Sequence, residues 1–179
     1  MTFTYRLTYN DYLQHQLYQI STSSDYKRKR NKGFIFLVIT FIVFGIILYL
    51  TGNTFITTFY AISAVVVLPF FPLMFKKRNK KNVREFIIKN YTDRFDKEAT
   101  LVFNEDHLKT IDATGESQFT YNALESITET TAHYFLKIAT RGTLIIPKRV
   151  EEKNTLENKL KILSERYNFP YVKRLEWKW

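Results

Sequence analysis

The 179-residue sequence predicts an α+β membrane protein: a two-helix transmembrane hairpin plus a cytoplasmic antiparallel β meander capped by a C-terminal helix. Two uncharged apolar runs follow each other closely, at 33–50 and 55–75, and Lys and Arg clusters border the pair. The chain after them alternates short strand-like segments with turn residues. We therefore predict an N-terminal strand and amphipathic helix in 1–32, the hairpin in 33–75 and a cytoplasmic domain in 76–179.

The N-terminal segment is predicted to form a strand and then a helix. Phe3 to Thr8 alternates large and polar residues, which is typical of a strand. Asn10 and Asp11 are candidate N-caps, and the helix is expected to run on through Ser21–Ser24. Its apolar face, at helical spacing, consists of Leu13, Leu17 and Ile20.

Both apolar runs are long enough to cross a bilayer. Gly33–Leu50 has 18 residues without a charge, and as a helix it spans about 27 Å, close to the hydrocarbon thickness. Phe55–Phe75 adds 21 uncharged residues. Its Pro69 and Pro72 predict a kink or an early helix end near Val67–Phe70. A buried helix pair in a soluble core is the competing interpretation, but it does not account for the basic borders.

The charges around the hairpin predict its orientation. Only Thr51–Thr54 joins the two runs, so the helices must be antiparallel neighbours. This turn has no Lys or Arg, so the positive-inside rule places both termini in the cytoplasm. A cleaved signal peptide is not expected, because no small-x-small site follows Leu50. The residues predicted to lie at the membrane surface are Lys27, Arg28, Lys29, Arg30, Lys32, Lys76, Lys77, Arg78, Lys80, Lys81 and Arg84.

These eleven residues also account for the net charge of +10, because the other 16 of the 27 Lys and Arg face 17 Asp and Glu. Nucleic acid is therefore not an expected partner. The absence of cysteine excludes disulfides and a thiol nucleophile, and the three histidines lack ligand spacing. Ser117 and His133 lack a nucleophile signature. We predict no enzyme and no cofactor or metal, since the carboxylates that could act as acid and base lie in no motif: Glu105, Asp106, Glu125, Glu129, Glu151 and Glu152.

After the hairpin we expect a helix and then a meander. The apolar stripe of the helix is Val83, Phe86, Ile87, Tyr91 and Phe95. The predicted strands are Thr100–Phe103, Leu108–Asp112, Gln118–Tyr121, Ser126–Thr131, Tyr134–Thr140 and Thr143–Ile146. Their close spacing requires antiparallel pairing. A last helix has Asn154 as its N-cap and Glu157 three residues on, with an apolar face of Leu156, Leu160, Leu163 and Tyr167. This order of elements, a series of strands followed by one helix, is like that of pleckstrin-homology domains.

Two questions remain open from the sequence. The post-hairpin loop Asn104–His107 is acidic and would repel phosphate, unlike the basic first loop of phosphoinositide-binding pleckstrin-homology domains. If Phe3–Thr8 is instead the first strand of the sheet, the hairpin is an insertion in that first loop, with its basic borders beside it. In the tail, Trp177 and Trp179 fit either a membrane interface or packing of an added strand, and the second is favoured.

Several segments together resemble the bacterial YcxB-like family. They are the N-terminal strand before Asp11-Tyr12, the hairpin with basic borders, Phe119-Thr120-Tyr121 leading to Leu124 and Ile127, Tyr134-Phe135, and Ile145–Arg149. The resemblance extends over nearly the whole chain. It implies a membrane-anchored domain similar to bacterial pleckstrin-homology domains, in a family without an assigned activity, and it carries over no catalytic residue.

The leading functional prediction is a membrane-anchored binding or scaffolding module that engages a protein partner through a sheet edge or a helix groove. The second is an accessory or immunity-type subunit acting through the hairpin, whose small and hydroxyl residues are Gly45, Thr57, Ala61 and Ala64. The third is a sensor of anionic lipid. The expected partners are the lipid bilayer, anionic headgroups at the basic borders and a protein.

Overall fold

The computed structural model describes residues 1–139, 142–150 and 153–179. The elements in this part of the chain are β1 (Thr2–Arg6), α1 (Tyr9–Thr22), α2 (Ser24–Leu50), α3 (Thr54–Tyr91), β2 (Glu98–Phe103), β3 (His107–Asp112), β4 (Gly115–Thr120), β5 (Leu124–Glu129), β6 (His133–Ile138), β7 (Gly142–Pro147), α4 (Lys153–Arg166) and β8 (Tyr171–Lys173). The protein is therefore α+β. It forms two compact units, the sheet unit (Met1–Gln16 with Phe86–Trp179) and the hairpin unit (Leu17–Glu85).

The sheet unit is built on two four-stranded sheets. One has the order β1-β2-β3-β4 and is antiparallel, and the other has the order β7-β6-β5-β8, in which β8 runs parallel to β5. Strand β1 pairs with β2 from Thr2 opposite Val102 to Arg6 opposite Glu98. The N-terminal strand is thus the first of its sheet, and the hairpin is inserted between two neighbouring strands. The bounds of the two units therefore differ from the bounds of the predicted segments, which were 1–32, 33–75 and 76–179.

The six predicted strands are present, and their ends differ from the predicted ends by at most three residues. The largest difference is at β4, which begins at Gly115 rather than at Gln118. Gly115 has a φ of +126°, and its freedom from steric restriction lets the chain turn tightly out of β3. The predicted end of the β6 strand at Thr140, and Arg141 in the following turn, lie outside the described residues.

Helix α4 encloses one side of the core. Leu156, Leu160 and Leu163 are buried with residues of both sheets, as predicted, while Tyr167 lies beyond the helix and is half-buried. The helix begins at Lys153, so Asn154 lies inside it and the predicted N-cap at Asn154 is wrong. The carboxylate of Glu157 instead accepts a hydrogen bond from Tyr134 (3.3 Å) and pairs with Lys161 (2.7 Å), one turn further along the helix.

Helix α1 also contains its predicted N-caps, Asn10 and Asp11, so the prediction of an N-cap at these positions is wrong. It starts at Tyr9, and the Asp11 carboxylate accepts hydrogen bonds from the backbone N–H (2.6 Å) and hydroxyl (2.8 Å) of Thr8. Asp11 therefore reaches back from the first turn, as the acidic member of a capping box does. The predicted continuation through Ser21–Ser24 is interrupted at Ser23, whose extended backbone (φ −65°, ψ 131°) separates α1 from α2.

In the hairpin unit, α2 and α3 pack as antiparallel neighbours through aromatic pairs. The ring centroids are 5.4 Å apart for Phe41 and Tyr60, and 5.7 Å apart for Phe34 and Phe71. At the turn Gly52 has a φ of +74°, which suits glycine, and the Asn53 side chain caps α3 by accepting the Ile56 N–H at 3.1 Å.

Both hairpin helices are long and apolar enough to span a membrane. Helix α3 continues through Pro69 and Pro72 to Tyr91, so an early end near Val67–Phe70 is wrong. A proline removes one backbone donor, but its own φ near −65° is helical. The predicted stripe is partly confirmed, because Val83 and Ile87 are buried, whereas Phe86 is exposed and Phe95 lies beyond the helix.

The tail contributes strand β8, which pairs with β5 from Tyr171 opposite Ile127 to Lys173 opposite Glu129. The tail thus adds a strand to the sheet, but the prediction that this strand carries Trp177 and Trp179 is wrong, because β8 ends at Lys173. Trp177 and Trp179 lie beyond β8 and are half-buried, and the backbone N–H of Trp177 donates to the Arg174 carbonyl at 3.1 Å.

Candidate functional site

The basic residues of the hairpin lie at one end of it. Because α2 and α3 are antiparallel, the start of α2 meets the part of α3 that follows its apolar run. Tyr26, just before Lys27, packs on Phe75, just before Lys76, with ring centroids 5.4 Å apart. The predicted membrane-surface residues are exposed, except for the half-buried Lys80. The opposite end is the uncharged turn Thr51–Asn53.

A shallow open groove runs along α3 at this end. It is lined by Met74, Lys77, Arg78, Lys80, Lys81 and Arg84. Met74 is 66% exposed and supplies an apolar surface beside five cations. Lys81 has a carboxylate nearby, since its Nζ lies 3.8 Å from Glu85 one turn further on. The groove combines apolar surface with dense positive charge, so it is chemically suited to an amphiphilic anion.

Between the basic end and the turn, the surface of the hairpin is apolar. Helix α2 has no buried residue, and the membrane-length windows of both helices are unburied in the protein. Exposed side chains along them include Phe36, Ile42, Phe55, Phe59 and Val65. Isolated exposed apolar residues are ordinary, but a continuous apolar surface of this length is typical of a contact with a membrane or with another protein.

The sheet unit contains a buried polar cluster around Asp11, which is 1% exposed. Its Oδ1 lies 2.7 Å from His133 Nε2 and accepts a hydrogen bond from Arg149 Nη1 at 2.8 Å, and Arg149 Nη2 donates to Oδ2. Arg149 also donates to the Arg6 carbonyl at 2.6 Å. The cluster thus joins the first turn of α1 to β6 and to the residues after β7.

Hydrogen bonding keeps Asp11 ionised in this site. Burial alone would raise the pKa of its carboxyl, but the bonds from Arg149, His133 and Thr8 outweigh burial and hold the pKa below its ordinary range. The same pairing raises the pKa of Arg149. A paired and hydrogen-bonded buried charge is the expected form of such a group in a stable core.

His15 lies near this cluster. It is 6% exposed, its ring centroid is 5.1 Å from that of Phe135, and its Nε2 has no hydrogen-bond partner within the described ranges. The His133 ring stacks on Phe135 at 5.6 Å. Burial, and to a lesser extent the charge of a protonated His133, lowers the pKa of His15 to about 4. His15 is therefore neutral at physiological pH.

A second buried ion pair holds the tail strand. Glu129 is 4% exposed, and its carboxylate accepts hydrogen bonds from Lys148 Nζ (2.6 Å) and the Tyr171 hydroxyl (2.9 Å). The Lys148 ammonium also lies 5.0 Å from the ring centroid of Tyr134. Both Lys148 and Glu129 are satisfied, so this cluster stabilises the contact of β8 with β5 rather than forming an accessible site.

The other predicted carboxylates are scattered. Glu125 pairs with exposed Lys137 at 2.6 Å. Glu151 and Glu152 lie outside the described residues. The hydroxyl residue Ser117, considered above as a nucleophile, lies in β4. Glu105 and Asp106 line an open groove between the β2–β3 loop and α4, opposite Lys159 and Arg166. No group of three metal-binding side chains occurs among the residues that the structure describes.

Sequence reasoning missed the meeting of Asp11, His133 and Arg149. Asp11 and His133 are more than 120 positions apart in the sequence, and no local spacing of residues reveals a contact over that distance. The available signal was the family resemblance, which drew on Asp11 and on the segment ending in Lys148-Arg149 without saying that they meet.

Comparison with known protein families gives a match to part of the sheet unit. Residues 103–160 match the family model described as YcxB-like protein. No curated protein and no solved structure matches the chain significantly. The resemblance to the YcxB-like family is therefore confirmed for the segment that runs from the end of β2 into α4.

Proposed function

We propose that the protein is a membrane-anchored binding or scaffolding module on the cytoplasmic face of a bacterial cell membrane. The hairpin spans the bilayer, both termini are cytoplasmic, and the sheet unit is a pleckstrin-homology-like domain that engages a protein partner. The role is one of binding rather than catalysis.

The observation that carries this proposal is the pairing of β1 with β2. The two strands are neighbours in one sheet, yet the whole hairpin lies between them in the chain. The sheet unit therefore connects to the hairpin by two chain segments, one before α2 and one within α3. Such a double connection suits a module that is held at a membrane surface.

The architecture of the sheet unit supports the pleckstrin-homology-like assignment. Two four-stranded sheets enclose one core, and a C-terminal helix places three leucines in it. The open groove beside α4, with Glu105 and Asp106 facing Lys159 and Arg166, offers charges of both signs to a protein partner. The exposed edge of β4, which includes Glu116 and Gln118, is a second candidate surface.

The charge distribution supports the proposed orientation. Eleven Lys and Arg lie at the end of the hairpin that continues into the sheet unit, and the turn has none. By the positive-inside rule the basic end stays in the cytoplasm.

The alternative is a small accessory or immunity-type subunit that acts through its hairpin. The hairpin uses part of its small-residue surface internally, because a side chain at Gly45 would meet Tyr60 at 3.7 Å. This contact favours the binding module, since Gly45 is occupied within the chain. A sensor of anionic lipid is the third function.

Topology reporters test the proposal. Activity reporters fused at Met1, at Trp179 and between Gly52 and Asn53 should place both termini in the cytoplasm and the turn outside. Termini on opposite faces, or a chain that stays in the supernatant after ultracentrifugation without detergent, would contradict it.

Crosslinking and pulldown separate the two leading functions. Full-length protein is compared with a version in which the apolar residues of 33–50 and 55–75 are replaced by another hairpin of equal length. Partners retained after replacement support the binding module. Partners lost on replacement support the subunit that acts through its helices.

A further inference from the structure

The groove on α3 begins where the apolar run ends. Lys77, Arg78, Lys81 and Arg84 lie within about 120° of the helix circumference, given about 100° per residue. Measured from Phe75 along the axis, Lys77 and Arg78 lie about 3–5 Å beyond the apolar run and Lys81 about 9 Å beyond it. The headgroup layer is about 5–8 Å thick on each side of a bilayer, so Lys77 and Arg78 start within it. Lys81 and Arg84 start beyond it, Arg84 at about 14 Å, and their long side chains reach the depth of lipid phosphates by leaning back towards the helix N-terminus.

Met74 distinguishes this groove from a plain positive patch. Its exposed side chain forms the inner end of the groove, and the cations follow outward in the order of the chain. A phospholipid has the same sequence of chemistry, with acyl chains inside and the phosphodiester outside. The aliphatic stems of Lys and Arg extend the apolar surface while their charged groups reach the phosphate.

We infer that this groove binds the headgroup of an anionic phospholipid, with the phosphodiester held by Lys77, Arg78 and Arg84 and the upper acyl chain against Met74. The inference rests on the proposed insertion of the hairpin, and it assigns to α3 a contact that the basic residues of α2 do not make. Charge complementarity carries it, because cytoplasmic leaflets carry anionic lipids that attract Lys and Arg beside a transmembrane helix.

The test compares two variants that lose the same charge. K77Q/R78Q/R84Q removes three of the five cations that line the groove. K27Q/R28Q/K29Q removes three cations from α2 at the same end of the hairpin. Full-length protein is reconstituted into phosphatidylcholine vesicles with a minor share of phosphatidylglycerol. Spin-labelled phosphatidylglycerol and spin-labelled phosphatidylcholine then report which lipid is immobilised at the protein, while vesicle flotation and far-UV circular dichroism monitor insertion and folding.

The native protein should immobilise phosphatidylglycerol in preference to phosphatidylcholine. K77Q/R78Q/R84Q should lose that preference, whereas K27Q/R28Q/K29Q should retain most of it. Equal loss in the two variants would show a diffuse field and overturn the groove. Native protein that floats with vesicles but shows no preference would overturn the lipid site and leave membrane anchoring intact. Protein that does not float would overturn both.

Inorganic phosphate identifies the source of the anion. Added to the vesicles in place of chloride at matched ionic strength, it should leave the preference for phosphatidylglycerol unchanged. If phosphate abolishes the preference while chloride does not, the groove binds free phosphate and the assignment to lipid is wrong.

Discussion

The sheet unit encloses its apolar side chains, whereas the hairpin unit exposes them. Leu101, Ile127 and Leu160 are 0% exposed, but Phe36 and Phe55 of the hairpin are 73% and 82% exposed. The polar residues differ in the opposite sense, because the sheet unit buries Asp11 in an ion cluster while the basic residues of the hairpin face outward. The sheet unit thus has an enclosed apolar core, whereas the hairpin leaves most of its apolar side chains uncovered by the protein.

The largest effect is expected in the sheet core. Leu160→Ala should lower the free energy of unfolding by about 3–4 kcal/mol, because it leaves a cavity among residues that cannot close around it. Chemical denaturation of the full chain in detergent, followed by tyrosine and tryptophan fluorescence, measures the loss. Ile162→Ala on the same helix is the control: Ile162 is 57% exposed, and its truncation should cost well under half as much. Similar losses would contradict the assignment of Leu160 to the core.

Replacement by a charged residue should have different effects at two isoleucines of similar exposure. Ile42 in α2 is 55% exposed and Ile162 in α4 is 57% exposed. Ile42→Asp should oppose membrane insertion by about 3 kcal/mol, since it places a carboxylate in the middle of an apolar span. Ile162→Asp should leave insertion unchanged. Membrane fractionation after an alkaline wash measures both, and equal recovery of the two variants from membranes would remove the distinction between the units.

The buried ion cluster should matter more than an exposed carboxylate. Asp11→Asn should destabilise the sheet unit by about 2–3 kcal/mol, because Arg149 and His133 lose their shared anion. Half of the Arg149 side chain is solvated, which limits the loss. Asp25→Asn, at an exposed position in the first turn of α2, should cost much less.

Acid supplies a second measurement on Asp11. Its folded-state pKa lies below the ordinary value of 3.8, so its stabilising contribution is present above pH 4 and is lost as the pH falls further. An Asp11→Asn protein should show a shallower loss of stability in this range. If the variant loses stability below pH 4 as steeply as the native protein, another carboxyl group dominates the acid dependence of stability.

The smallest expected effect is the pH dependence due to His15. Its pKa falls from 6.5 to about 4 on folding, so below pH 6.5 the unfolded chain binds a proton that the folded chain excludes. Stability should therefore decline by about 2 kcal/mol as the pH falls from 6.5 to 4. In a His15→Gln protein the denaturation midpoint should vary less with pH over this window, whatever the absolute stability of the variant.

The hairpin was the most predictable part of the molecule, because apolar length and border charge are local properties of the chain. The strands were also predictable, since alternation and turn residues are local. Helix starts were less so: Thr8 and Asp11 form a capping pair at the start of α1, but the sequence offered Asn10 and Asp11 as equally good caps. The continuation of α3 through Pro69 shows that a proline whose own φ is helical does not by itself end a helix.

Contacts between distant residues could not be predicted. The pairing of Asp11 with Arg149 joins residues 138 positions apart. The pairing of Lys148 with Glu129 joins the turn after β7 to the end of β5, through side chains that resemble ordinary surface charges in the sequence. Such pairs form because the fold brings the first turn of α1 and the end of β5 to the residues that follow β7, which depends on the whole chain. The basic residues and their two clusters were identified from the sequence, but the groove that Met74 forms with five of them on α3 required the structure.

The distance along the chain between β1 and β2 also sets the order of events during translation. Thr2 pairs with Val102, so the first sheet cannot begin to assemble until the ribosome has synthesised both helices of the hairpin. At about 5–20 residues per second this interval is roughly 5–20 s. The nascent N-terminal strand therefore remains without its partner while the two helices are being made, and both helices are complete before the first sheet can close.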